Sequence, residues 1–256
     1  MTALESLDYR VPALQRGLTI LGMFNARQRT LSMQDMAERL EVSPSAVYRI
    51  VQTLVDMGYL HKAGRNDFEL GSRVISDGFA YLASRDIVEV AMPCLNALRD
   101  RTSLSCHLSI REQTDSLYIY RAFAPQRLTV NIPIGTRLPC HGTALGRVLL
   151  SGLGETELSQ LYQHVRLDDY PPPAPRTLPE LQHLIGEDRE RGWVLHRSDY
   201  STAIATGIRD HSGAITAAIN LSGPDAVMNT PVAQEAFLQA LLATSKEISA
   251  ALGFRD

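Results

Sequence analysis

Leu14, Leu18, Leu21 and Phe24 recur at helical spacing, and Pro12 stands where a helix would open, so residues 12–24 are predicted helical. The polar run from Asn25 to Arg29 ends that pattern. Ser32-Met33-Gln34-Asp35 has the form of a capping box, a hydroxyl at the cap and an acid three residues on. The helix it starts turns Met36, Ala37 and Leu40 inward. After the short turn Glu41-Val42, Ser43 caps a third helix. Pro44 takes its first position, where the missing N–H costs nothing. Val47, Ile50, Val51, Leu54 and Val55 share one face of that helix, and Gly58 ends it. Residues 59–62 and 67–70 flank the turn Ala63-Gly64-Arg65-Asn66 and read as a hairpin. Two further helices are expected, over 71–83 with Val74, Ile75, Phe79 and Leu82 apolar, and over 87–101 with Pro93 inside it.

From Leu104 the period changes. Strands are expected at 106–111, 116–123, 128–132, 193–196, 203–209 and 215–221, and helices at 142–153, 155–163, 179–191 and 231–252. Residues 170–175 form a proline-rich loop. Helices mixed with an antiparallel sheet give the class α+β. The division expected is a winged helix-turn-helix over 1–70, a linker helix over 71–85 and a second domain over 86–256.

Composition changes this picture little. A chain of 256 residues is comfortable for two domains, and 45% hydrophobic with 21% charged residues is ordinary for a globular protein. Three widely spaced cysteines argue against a disulfide framework and for a reducing cytoplasm. The first ten residues lack the pattern of a secretory leader, and no apolar run is long enough to span a bilayer, so no membrane partner is expected. The net charge is -3. Residues 1–70 carry eight basic side chains (Arg10, Arg16, Arg27, Arg29, Arg39, Arg49, Lys62, Arg65) and eight acidic ones, a net of zero. Bulk charge therefore does not announce nucleic-acid binding, and local placement must carry that argument.

The placement does carry it. A short helix, a tight turn and a second helix are the parts of a helix-turn-helix. The outer face of the third helix presents Ser45, Tyr48, Arg49 and Gln52, types that reach base edges or phosphates. Lys62 and Arg65 on the hairpin, with Arg27 and Arg29 before the second helix, are placed for phosphate contacts. The expected partner is double-stranded operator DNA. The alternative is a three-helix packing unit with a solvated face, but caps, turn length and hairpin all agree with the DNA reading. Further on, Leu138-Pro139-Cys140-His141-Gly142-Thr143-Ala144 leads into a helix whose free N–H groups favour an anion such as a carboxylate.

Ala13-Leu14-Gln15-Arg16-Gly17-Leu18-Thr19-Ile20-Leu21, the third-helix segment Ser45 to Leu54, Gly58-Tyr59-Leu60 and Phe68-Glu69-Leu70-Gly71 together resemble the IclR family of bacterial transcription regulators. The resemblance continues from Ile134 to Arg147, at Arg191-Gly192-Trp193 and from Ala217 to Pro224. It implies a winged helix-turn-helix, a linker helix and a C-terminal GAF-like effector-binding domain. It implies a homodimer or a dimer of dimers, controlled by a small organic acid, aromatic acids included. By the resemblance, Cys140, with His141, Gly142 and Thr143, lies at the pocket, His196 and Ala203 on a loop and Asn220 and Ser222 on a strand beside it. Asn220 and Ser222 are two apart and face the same side; they either hydrogen-bond an acid or satisfy local backbone groups. Positive charge could come from His196, Arg197 or Arg127. The segment 196–205 is shorter and less acidic than in many members, with Ala203 where several have Cys, so no member's effector carries over.

Cys106-His107 and Cys140-His141 raise a metal or catalytic reading. Zinc ligands are usually spaced by two or more residues, and strand neighbours point to opposite faces, so no metal is expected. No orienting acid accompanies either pair, so no enzyme and no cofactor are expected. Cys140 at a helix start could have a lowered pKa and sense oxidation.

Overall fold

The first helix of the computed structural model, α1 (Pro12–Gly22), opens on Pro12 but buries a different stripe from the one its leucines suggest. Gly17 and Ile20 turn inward, whereas Leu14 and Leu18 are 61% and 62% exposed. Gly17 faces Ile50, at a spacing where a methyl group would make only an ordinary van der Waals contact. The structure describes residues 10–25, 27–83, 86–124, 131–169, 174–198 and 201–255. The chain divides into two units, Met1–Ser84 and Arg85–Asp256.

In the first unit, α2 (Met33–Leu40) begins at the expected capping box. Ser32 Oγ accepts the Asp35 N–H at 3.2 Å, and Asp35 accepts the Ser32 N–H at 2.9 Å. The Ser32 N–H and the Ser32 hydroxyl, which donates to Oδ2 at 2.8 Å, hold the Asp35 carboxyl below its ordinary pKa. Glu41 takes a left-handed conformation (φ 53°) and makes the turn. Ser43 caps α3 (Pro44–Asp56). The hairpin β2 (Leu60–Lys62) and β3 (Asp67–Leu70) forms, and β1 (Leu31–Ser32), too short to show in the sequence, adds a third strand beside β3. Ile20, Leu31, Met36, Val47, Val51, Leu60 and Phe68 fill the core. The next helix, α4 (Arg73–Ala83), leaves Ile75 and Phe79 exposed.

The second unit is built on one six-stranded sheet, ordered β6-β5-β4-β9-β8-β7, with every described pair antiparallel. Its strands are β4 (Ser105–Glu112), β5 (Asp115–Ala122), β6 (Arg137–Pro139), β7 (Trp193–Ser198), β8 (Ser201–Arg209) and β9 (Ile215–Pro224). The described part of the expected strand at 128–132, residues 131 and 132, is not strand; the rest lies outside the described residues. Instead β6 forms further on. Helices α5 (Asp86–Thr102) and α10 (Pro231–Ala251) pack together over one face. Over the other lies α6 (Ala144–Ser151), backed by α7 (Glu155–Tyr162) and α8 (Leu178–Arg191). A short helix, α9 (Asp225–Met228), precedes α10. No described helix is long and apolar enough to cross a membrane.

One glycine fixes how α6 sits. A Cβ on Gly146 would lie 2.2 Å from Cys140 Cα and 2.4 Å from its carbonyl oxygen, both backbone atoms. Gly146→Ala must push α6 off the single 3-10 turn at Cys140–Gly142. The expected loss is about 3 kcal/mol of stability, read from thermal or denaturant unfolding. An unfolding curve superposable on wild type would show that the turn gives way freely.

Candidate functional site

In the first unit, α3 divides cleanly. Val47, Val51 and Leu54 are buried, while Ser45, Tyr48 and Arg49 are exposed and Gln52 is half-buried along the opposite side. Positions 45, 48, 49 and 52 share one helical stripe. Ser45 Oγ lies 3.1 Å from the capping Ser43 Oγ, so part of its bonding capacity is local. Among the described residues Arg49 makes no ion pair, which leaves its guanidinium available. Lys62 on β2 and Arg65 in the hairpin turn are exposed, as is Arg27. The Arg27 N–H donates to Asn25 Oδ1, which shapes the loop before α2.

The hairpin is tied to α4. Gly71 N–H donates to the Tyr59 carbonyl at 2.7 Å, and Arg73 N–H to that of Gly58 at 3.3 Å. A Cβ at Gly71 would strike the Gly58 carbonyl oxygen at 2.1 Å. The Tyr59 hydroxyl donates to Asp77, which also takes Arg73 Nε at 3.0 Å. The Asp77 carboxylate pushes the Tyr59 pKa up.

In the second unit, strand register assembles a polar face under α6. Directly paired residues of antiparallel strands project to the same side. One row across β7, β8, β9 and β4 is His196, Ala203, Ser222 and Ser105. The next is Val194, Ala205, Asn220 and His107, and the third continues through Gly207, Ala218 and Ser109 to Tyr118 on β5. Val194, Ala205, Ala218 and Tyr118 pack with Ala144, Leu145, Val148 and Leu149 of α6. Thr143 caps α6 by accepting the Gly146 N–H at 3.1 Å, and Gly142 beside it is half-buried. The first-turn N–H groups of Ala144 and Leu145 lie outside the helix's own bonding.

Four sequence-derived residues, His196, Ala203, Asn220 and Ser222, therefore share this face. Asn220 and Ser222 also satisfy backbone groups: Asn220 Oδ1 accepts the His107 N–H at 3.0 Å, and Ser222 Oγ donates to the Ser105 carbonyl at 3.5 Å. Cys140 packs into the buried cluster with Leu150, Leu153, Leu158, Tyr162 and Leu181, near enough to Tyr118 for its charge to add to the rise that burial gives that hydroxyl's pKa. His141 meets Tyr162 edge to face at 5.9 Å. Burial pushes the Cys140 thiol up to about 12, opposite to the lowering a helix start would give, so a thiolate sensor is not what this site builds.

The candidates for positive charge are also corrected. Arg197 neighbours His196 on β7, so it points to the other side of the sheet. Burial, then the nearby Arg147 charge, lowers the His196 pKa and keeps the ring neutral. Arg147 itself is spent on Asp188, with bonds of 2.7 and 2.6 Å. Arg127 lies outside the described residues. Sequence reasoning missed Ser105, His107, Ser109 and Tyr118. Alternation of Ser105, His107 and Ser109 with Cys106, Leu108 and Ile110 was the signal for the first three.

Residues 13–64 match the family model of the IclR helix-turn-helix domain, and residues 79–250 that of the bacterial transcriptional regulator IclR C-terminal domain. The chain belongs to the IclR family of bacterial transcriptional regulators. It is similar to the Pca regulon regulatory protein of Pseudomonas putida, 31% identical over 92% of this chain and 82% of that one. Among solved structures it resembles a putative transcriptional regulator from Rhodococcus sp. RHA1, with a TM-score of 0.83 and 30% identity over 95% of this chain and 98% of that one. An IclR homologue from Microbacterium hydrocarbonoxydans, solved in complex with 4-hydroxybenzoate, has the same fold: TM-score 0.79, 21% identity, 94% and 98% of the two chains covered. This IclR protein is thus a DNA-binding transcription regulator of class α+β. The motifs behind the resemblance have structural work here. Gly58-Tyr59 and Gly71 build the joint to α4, and Arg147 with Arg191 surrounds Asp188.

Proposed function

We propose that this IclR regulator binds a small organic acid on the polar face under α6 and that occupancy changes its operator affinity. The observation that carries the reading is the row of half-buried His196 and Ala203 with buried Ser222 and Ser105, beside buried Asn220 and His107, with the start of α6 over it. The 4-hydroxybenzoate complex of the Microbacterium homologue supports an aromatic acid as the first class to test. Neutral donors and a helix start suit a carboxylate.

DNA reading falls to Ser45, Tyr48, Arg49 and Gln52, with Lys62, Arg65 and Arg27 on phosphates. The working form is a homodimer, alone or paired again. Val11, Leu14 and Leu18 on or beside α1 are all more than half exposed, an apolar stripe suited to a second copy. The joint from the hairpin to α4 gives effector binding a rigid element to act on, and only a difference in affinity between two arrangements can move it. The role is binding rather than catalysis, and the division at residues 70 and 85 is part of the same reading.

The test is a heat-shift screen against aromatic and aliphatic acids, followed by operator titration. At a hundred-fold excess over its dissociation constant, a ligand specific to the folded state adds about 2.7 kcal/mol, a rise of about 5–10 °C in this unit. If no acid raises the melting temperature, or if those that do leave operator affinity unchanged, the reading fails.

A further inference from the structure

We infer that His107 is a positioning residue of the effector site: it holds the Asn220 amide so that the Nδ2 hydrogens, not Oδ1, are offered to the ligand's carboxylate. The inference rests on the effector reading above and deepens it.

The orientation follows from one bond. The backbone N–H of His107 meets the Asn220 side chain at 3.0 Å. A backbone N–H can only donate, so the atom it meets is the amide oxygen, and the opposite atom is the NH2. His107 Nδ1 lies 3.1 Å from that same oxygen. It too must donate, which fixes the tautomer with hydrogen on Nδ1. Nε2 is then an acceptor, and the Ile132 N–H lies 3.5 Å from it, as that tautomer requires. The ring is held edge to face against Tyr118, centroids 5.6 Å apart. Burial lowers the His107 pKa to about 4; Asn220 opposes the shift and Arg121 adds to it. The ring is therefore neutral near pH 7.

Two donors use both lone pairs of Oδ1. Both Nδ2 hydrogens remain, and among the described residues no acceptor takes them. Among the described residues Arg121, the register partner of His107 on β5, is the cation of this face with no carboxylate partner, bonding the neutral Asn131 Oδ1; Arg147 is paired with Asp188, and Arg197 points to the opposite side. Asn220 is then the neutral N–H donor that His107 aims, with the Arg121 charge beside it. A free Asn side chain could present either end and would accept a hydroxyl or an amide as readily as a carboxylate.

The first test needs no ligand. In nitrogen-detected histidine NMR of the full chain, His107 should stay the neutral Nδ1–H tautomer from pH 8 to below pH 6. Asn220→Asp places a carboxylate on Nδ1, which favours the charged ring, so the His107 pKa should rise into the neutral range. An Nε2–H tautomer, or a pKa unmoved in Asn220→Asp, overturns the positioning role whatever the protein binds. The second test titrates 4-hydroxybenzoate and 4-hydroxybenzamide. Asn220→Asp should weaken the acid by about 100-fold and the amide by less than about 10-fold. His107→Phe keeps the packing on Tyr118 and the backbone N–H but removes the Nδ1–H donor, so one bond instead of two holds Oδ1, and the acid should weaken by about 10-fold; His107→Asn, with an N–H near the Nδ1 position, should restore most of it. Equal losses for acid and amide, or no rescue, overturn the inference. Failure of the wild type to bind either compound, with the tautomer as expected, counts against the effector reading itself and removes the ligand half of this inference with it.

Discussion

Asp188→Asn should destabilise the C-terminal unit by about 3–5 kcal/mol and lower its melting temperature by about 10 °C. The Asp188 carboxylate has no exposed surface, and the Arg147 side chain keeps only 11% of its own. Arg147 Nε and Nη2 donate to the two carboxylate oxygens at 2.7 and 2.6 Å, a bidentate pair, and Arg191 adds its charge at 3.6 Å. The amide of Asn cannot return the second acceptor, and it leaves the buried guanidinium without a counter-charge. Formation of the pair is a different question from its rupture. Taking both ions out of water nearly cancels their attraction, so Arg147→Met with Asp188→Leu should recover most of the loss. A single variant within a degree or two of wild type would show that water or another anion reaches Arg147. The functional reading adds a further expectation to the same variant. Arg147 lies on α6, whose first turn covers the polar face, so acid binding should weaken along with stability.

The DNA-reading unit was largely legible before any coordinates, for a local reason. Ser32 with Asp35, Ser43 with Pro44, and Gly58 mark helix ends through bonds within a few residues, and each stands where its spacing placed it. The same locality misled at α1. Leu14, Leu18 and Leu21 are a proper helical stripe, but which stripe is buried depends on how α1 packs on α3, a contact between residues distant in sequence. The polar face shows the limit more sharply. Period two says that Asn220 and Ser222 share a side, but only the register across four strands sets them beside His107, Ser105, Ala203 and His196. The resemblance put Cys140 with them. Gly146 of the same motif sits close on the Cys140 backbone, and the Cys140 side chain packs with Leu158, Leu181 and Ile185 of the α7–α8 layer. A motif preserves a backbone geometry, and the destination of each side chain has to be read from the packing.

Arg49→Ala should weaken operator binding by about 100-fold or more, because a good bidentate contact to a base is worth about 1–3 kcal/mol and a symmetric dimer loses two. The estimate depends on the pairing, and the charge count says why. Residues 1–70 carry equal numbers of basic and acidic side chains, so one copy has little sequence-independent attraction to DNA. A single half-site should therefore bind poorly, which the proposed pairing of copies would offset. Arg49 is exposed in the middle of the α3 stripe, with Tyr48 beside it and Ser45 and Gln52 one turn to either side. Lys62, on the hairpin, stands in a different place and should behave differently. Lys62→Ala should reduce the slope of log affinity against log salt by about 1 per copy and act alike on every sequence, as loss of a phosphate contact does. Arg49→Ala should instead flatten the preference at one base pair of each half-site. Gel-shift titrations over operator variants at two salt concentrations separate the two. A loss for Arg49→Ala that is uniform across sequences would move it to the phosphate backbone, and an unchanged affinity would take it out of the interface.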